Sequence, residues 1–298
     1  MYPRAFHYHR ATSLSEAVSM LTDLGEEARL LAGGQSLIPL MKLRLASPAH
    51  LVDLNFIPGL EYVREQGNEL RVGALTRHAQ IEESAEAARV PIVHDCASGI
   101  ADIQVRNRGT LGGSLAEADP TGDWAPVLLV LGTEVVCQGP DGERTVKLED
   151  FLVDAFVTTL APNELVKEVR ITQPPKKSGG AYIAAKRSAP VYASASVAVQ
   201  LAMEDSSVCR EAGIALGAVG LTAIRAREAE KVLNGKSVDS RAIEEAAEAA
   251  MRAADPQSDM RGSAEYKRVL VRALVKRALE AALRRSRGEP VEVSHLYA

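Results

Sequence analysis

Apolar and polar positions follow two rhythms along this chain, and the rhythms alternate. Leu14, Ala17, Val18, Leu21 and Leu24 recur at helical spacing behind a Ser13-Leu14-Ser15-Glu16 capping box, and Gly25 stops the run. Short apolar runs then read as buried strands, Arg29-Leu30-Leu31-Ala32 and Leu51-Val52-Asp53-Leu54, with a short helix over 37–45 between them. Segments 70–74, 133–137 and 164–172 read as further strands. Helical patterns fall over 76–88, 91–100 and 124–131, and Gly139-Pro140-Asp141-Gly142 reads as a turn.

The sharpest punctuation is Pro174-Pro175-Lys176-Lys177-Ser178-Gly179-Gly180, which reads as an extended, polar, glycine-ended boundary. Beyond it lie strand patterns at 197–204 and 213–219, then helical patterns at 223–234, 240–254 and 263–287. The order implies an α+β chain of two domains, 1–176 and 177–298, the first with subdomains of about 1–55 and 56–176. The 298 residues suit that count.

Composition narrows the function classes. Hydrophobic residues at 46% and charged residues at 25% are an ordinary globular balance, so a core forms without disulfides or metals. A net charge of −4 offers no basic field for nucleic acid. No apolar run nears the roughly 18 residues of a membrane span, and the N-terminus has no signal-peptide pattern, so a cytoplasmic location is expected. Cys96, Cys137 and Cys209 are too few and too scattered to hold an iron–sulfur cluster or a zinc ion. The histidines show neither HExxH spacing nor an evident triad.

Candidate chemistry centres on two glycine pairs. Gly33-Gly34 lies in Leu31-Ala32-Gly33-Gly34-Gln35-Ser36, and Gly112-Gly113 lies in Thr110-Leu111-Gly112-Gly113-Ser114. Either alone is most simply a tight turn. Together, with Gln35, Ser36 and Ser114 able to hydrogen-bond, they suggest two backbone concavities gripping a diphosphate, as a dinucleotide such as FAD requires. Neither matches GxGxxG or GxxxxGK[ST]. Asp119 and Asp123 either cap the helix that contains Trp124 or accept hydrogen bonds from a cofactor. Arg106 and Arg108 read as solvated, or as phosphate or partner contacts. Tyr182 and Tyr192 either cover a flavin ring or pack. Gly213 to Gly220 reads as packing.

These segments, in this order, resemble one family over nearly the whole chain. Ala32 to Leu37, Lys42-Leu43-Arg44, His50 to Asn55, Val105 to Ala116, Ala118-Asp119-Pro120 through Asp123, and Asp259 to Lys267 are similar to the FAD-binding medium subunit of molybdenum hydroxylases, especially the carbon monoxide dehydrogenase type within the xanthine dehydrogenase family. The resemblance implies a two-subdomain FAD-binding domain of the vanillyl-alcohol-oxidase type. A smaller C-terminal domain of antiparallel sheet and helical bundle would follow it. It implies that Leu30, Leu31, Ala32, Gly33, Gly34, Gln35, Ser36 and Leu37 bind the FAD pyrophosphate, with Thr110, Leu111, Gly112, Gly113 and Ser114 on the other side. It gives Asp123 as the acidic cofactor contact, Ile100 and Val166 as lining, Lys186 as a basic contact and Tyr192 against the isoalloxazine. The chain departs from that type at Gln35, where histidine is usual, at Ser114, where asparagine is commoner, and at Val191, where many relatives carry an acid.

The activity so implied is electron transfer. A molybdenum–pterin large subunit would oxidise the substrate, and a small subunit with [2Fe–2S] clusters would feed this FAD, which passes electrons to quinone or NAD. The assembly would be a dimer of heterotrimers in the cytoplasm, or at the inner face of the membrane. A stand-alone flavin oxidase, and a non-enzymatic flavin-binding protein, are the alternatives.

Overall fold

Three main sheets and a two-stranded ribbon, Leu152–Asp154 with Val157–Thr158, carry the described residues, 2–204 and 208–297, of a computed structural model. The first is a small parallel sheet in the order His7–Arg10, His50–Asp53, Ala28–Leu31. Its strands are four residues each, and the Leu14–Leu24 helix buries Ala17, Val18 and Leu21 as the helical spacing predicts. Ser13 caps that helix by accepting from the Glu16 N–H at 3.1 Å.

The second sheet is antiparallel, in the order Val63–Gln66, Glu69–Gly73, Leu165–Thr172, Glu134–Gly139, Gly142–Lys147. The third runs Ile224–Arg225, Val208–Gly217, Ala195–Met203, Ser178–Lys186, and its last neighbour is Leu296–Tyr297, paired parallel. Helices Arg227–Leu233 and Ala264–Ser286 cover one face of it, with Ser240–Ala253 packed against both helices. Helices Pro91–Gly99 and Trp124–Val130 cover the other.

That double cover explains the pattern of the third sheet. In Ser178–Lys186, Tyr182 and Ala184 join the core shared with Trp124 and Cys96, while Ala181, Ile183 and Ala185 join the core under the C-terminal helices. Both faces are dry, so the strand reads as a continuous run of small apolar residues rather than an alternating one. The chain crosses between the second and third sheets over residues 173–177, yet the two sheets contribute to one buried layer.

Several expectations shift. The polar boundary ends earlier than its glycines suggest: Ser178, Gly179 and Gly180 already belong to a strand. A Cβ on Gly179 would lie 2.1 Å from the Ala282 carbonyl oxygen, so this glycine admits the C-terminal helix against the sheet. The segment 76–88 forms two helices, His78–Glu82 and Ala85–Ala88, because Ser84 caps the second by accepting from Ala87 N–H. The third-sheet strand spans Val208–Gly217 rather than 213–219, and the following helix begins only at Arg227, after Ile224–Arg225 has paired with that strand.

Candidate functional site

A cleft of about 570 Å³ opens between the three sheets, within the range of cofactor sites. Residues 30–37, Ile100, Thr110, Gly112, Gly113, Ser114, Asp123, Val166 and Tyr192 all line it. Leu111 and Lys186 do not. Leu111 is wholly buried in the core, because the segment that carries it is helical. Lys186 lies behind the wall, where its Nζ is 3.1 Å from Asp123 Oδ1 and donates to the Gly99 carbonyl at 2.8 Å.

The two glycine pairs are not equivalent. The first is an open turn between strand Ala28–Leu31 and helix Leu37–Lys42. Among the described residues, the N–H groups of Gly33, Gly34, Gln35, Ser36 and Leu37 have no protein acceptor. Gly34 holds φ at +73°, which turns consecutive amides toward one concavity. The second pair is the opposite case. It lies in the first turn of helix Leu111–Glu117, and its amides are occupied. Leu111 N donates to Thr76 O, Gly112 N to Ala74 O, Gly113 N to Thr110 Oγ1 and Ser114 N to Thr110 O. What this side presents to the cleft is hydroxyl: the Thr110 O–H is left to donate, and Ser114 Oγ has no protein partner among the described residues.

The glycines therefore serve packing as well as access. A Cβ on Gly33 would stand 2.3 Å from the Arg108 carbonyl oxygen, and one on Gly112 would meet Ala74 O at 2.7 Å. The missing side chain at Gly33 lets the two segments close on each other, and the one at Gly112 lets its helix start pack on Ala74. Asn55 and Arg77 tie them further. Asn55 Nδ2 donates to Ala32 O at 3.0 Å, and Arg77 Nη1 donates to Arg108 O at 2.7 Å, while Arg77 Nη2 donates to Asn55 Oδ1. Asp53 fixes Asn55 by accepting from its backbone N–H at 2.9 Å, and Tyr8 O–H donates to Asp53 at 2.6 Å.

Asp123 starts helix Trp124–Val130, but its carboxylate makes no cap bond. Tyr182 O–H donates to Oδ1 at 2.6 Å, alongside Lys186, and Oδ2 is left to the cleft. Burial, with the Asp123 charge second, pushes the Tyr182 phenol well up, so it stays a donor. Tyr182 is thus a fully buried support of the wall, not a cover over it. Tyr192 does face the cleft, 46% exposed. Burial, then the carboxylates Asp119, Glu117 and Asp123, raises its phenol. The Arg261 guanidinium sits 5.6 Å from its ring centroid, and Ser194 Oγ donates to the Arg261 carbonyl at 3.0 Å. Asp259 shapes that turn, bonding Arg261 N at 2.8 Å and the buried Lys267 Nζ at 2.8 Å. The segment Asp259 to Lys267 so reaches the cleft through Tyr192.

Arg106 is engaged by Glu82 and the Ile100 carbonyl, not by the cleft. Residues that the sequence reading missed include His78 and Trp124, which both line the cleft and bond each other at 3.2 Å. Burial pushes His78 down to about 4, so its ring is neutral. Glu117, Asp119 and Asp123 gather at this end of the cleft, and burial, then the Asp119 charge, raises the Glu117 carboxyl. Free amides, two hydroxyls, an apolar wall of Ile100 and Val166, and an aromatic at the far end fit a long ligand with a diphosphate centre and a flat ring system, which is the shape of FAD.

Comparison with known proteins agrees. A family described as "FAD binding domain in molybdopterin dehydrogenase" matches residues 4–174, and one described as "CO dehydrogenase flavoprotein C-terminal domain" matches 180–282. The carbon monoxide dehydrogenase medium chain of Afipia carboxidovorans is 42% identical over 97% of this chain and 100% of its own length. The 6-hydroxypseudooxynicotine dehydrogenase complex subunit alpha of Paenarthrobacter nicotinovorans is 39% identical over 99% of this chain and 100% of its own. Among solved structures, carbon monoxide dehydrogenase from Hydrogenophaga pseudoflava superimposes with a TM-score of 0.93 at 41% identity, covering 96% of this chain and 99% of that one. The chain belongs to the FAD-binding medium subunits of the molybdenum hydroxylases, an oxidoreductase family, and is most like those of carbon monoxide dehydrogenase.

Proposed function

We propose that this chain is the electron-transfer station of a three-subunit molybdenum hydroxylase. Electrons from [2Fe–2S] clusters of a small subunit reach FAD here and leave to quinone or NAD, while a molybdenum–pterin large subunit oxidises the substrate in a dimer of heterotrimers. FAD supplies the redox chemistry, and the protein supplies position and electrostatics. The observation that carries this reading is the breadth of full-length likeness. Relatives named for carbon monoxide and for 6-hydroxypseudooxynicotine are 42% and 39% identical to it end to end, so the substrate is chosen in another chain. Among the described residues no helix is long and apolar enough to cross a membrane, and we place the complex in the cytoplasm or at the inner face of the membrane.

Within the cleft, the amides of 33–37 hold the pyrophosphate, and the Thr110 and Ser114 hydroxyls close on it from the other side. Ile100 and Val166 flank the cofactor, Asp123 Oδ2 accepts from it, and Tyr192 lies against the isoalloxazine. Leu111 and Lys186 act behind this surface, one through the core and one through Asp123. Residues 1–176 form the cofactor domain and 177–298 the C-terminal domain. The test is to express the chain with the subunits encoded beside it, purify the assembly and mix it with substrate under anaerobic conditions. Flavin absorbance that bleaches on mixing supports the reading. Turnover by the isolated chain favours a stand-alone oxidase, and bound flavin that its partners cannot reduce favours a binding protein.

A further inference from the structure

One polar group in the cleft has a fixed direction and no protein partner. Trp124 donates its Nε1–H to His78 Nδ1 at 3.2 Å. An indole can only donate, so Nδ1 is the bare nitrogen and the proton sits on Nε2. Burial, aided by the Arg106 and Arg77 charges and opposed by Asp123, pushes the ring down to about 4, so at neutral pH it carries a single N–H. His78 is 5% exposed, lines the cleft, and its Nε2 has no acceptor among the described residues.

The neighbours keep that N–H uncovered. A Cβ on Gly109 would sit 2.7 Å from Nε2, so glycine there leaves the nitrogen open. The His78 backbone N–H donates to Gly109 O at 3.1 Å, which fixes the ring beside the Thr110 hydroxyl segment. In a largely apolar cleft such a directed donor is met by water or by a ligand oxygen or nitrogen, and a ligand that displaces the water must replace its bond.

We infer that His78 is a cofactor-positioning residue, its Nε2–H donating to a polar acceptor of bound FAD and its tautomer locked by Trp124. The inference rests on the proposed FAD reading and adds a contact to it. The experiment uses the full-length chain with 15N-labelled histidine. Without FAD, His78 shows a protonated Nε2 and a bare Nδ1. On titration with FAD, its Nε2–H resonance moves more than that of any other histidine. H78Q, which keeps an N–H donor, holds FAD within about threefold of the parent, whereas H78L weakens it about tenfold or more. Flavin absorbance of the parent separates the possible failures. A parent that binds no FAD overturns both the reading and the inference. A parent that binds FAD while the His78 Nε2–H resonance stays put overturns the inference alone, and leaves His78 as a partner for the indole. The resonance test holds even where H78L does not fold.

Discussion

Gly33 stands against Arg108: a methyl group on Gly33 would lie 2.3 Å from the Arg108 carbonyl oxygen. The open amide turn and the hydroxyl-bearing helix start are therefore docked backbone to backbone. G33A must push them apart, at about 1–3 kcal/mol of overpacking. FAD affinity is expected to fall about tenfold or more, measured by flavin fluorescence titration. Unchanged affinity together with an unchanged melting temperature would show that the two segments separate without consequence.

Asn55 and Arg77 make the same junction from the side, through Ala32 O and Arg108 O. N55A removes the donor to Ala32 and leaves Arg77 Nη2 without its amide acceptor, which should cost about 1–2 kcal/mol. The expected signature is local. Amide hydrogen exchange should accelerate at Leu111 and Gly112, whose N–H groups are held by Thr76 and Ala74 in the docked state. Uniform acceleration across the third sheet as well would point to global destabilisation instead.

Lys186 and Asp123 form a pair with side chains 1% and 8% exposed. K186M would leave Asp123 buried with only the Tyr182 hydroxyl as donor, and the expected loss is about 3–5 kcal/mol in denaturant unfolding. D123N combined with K186M should lose clearly less than the sum of the single changes, because it removes both charges. Additive losses would mean that the ammonium is held by Gly99 O rather than by the carboxylate.

The parts that were legible in the sequence are those governed by local pattern. The Leu14–Leu24 helix with its Ser13 cap, the short strands flanking the first glycine pair and the long Ala264–Ser286 helix all follow from spacing and caps. Ser178–Lys186 was hidden because both its faces are buried and its first glycines make room for a helix about 100 residues away in sequence. The cleft shows the same division. The glycine pairs marked its position, but whether an amide is free or occupied depends on carbonyls of Ala74 and Thr76, which no local motif reveals. His78 carried no signal at all, since its meaning comes from Trp124, 46 residues on.

The neutral His78 ring should shape acid stability. Its native value of about 4 lies below the ordinary histidine value of about 6.5, so between these limits the unfolded chain binds a proton that the native chain does not. Stability therefore rises with pH across that window and is fully restored above about pH 6.5. The amplitude is on the order of 3 kcal/mol, since one proton fewer in the native chain is worth about 1.4 kcal/mol for each pH unit crossed. His295, also lowered by burial, bends the curve in the same direction, as do carboxyls held below their usual range such as Glu164 and Asp259, while Asp95 and Glu117, raised by burial, oppose it at the acid end. The difference between the parent and H78Q isolates the contribution, because those other groups are common to both. Urea unfolding from about pH 4 to about pH 7.5 should give a parent curve that climbs more steeply than that of H78Q. Parallel curves would mean that His78 takes up its proton as readily in the native chain as in the unfolded one, and that the Trp124 bond to a bare Nδ1 is not the state that persists in solution.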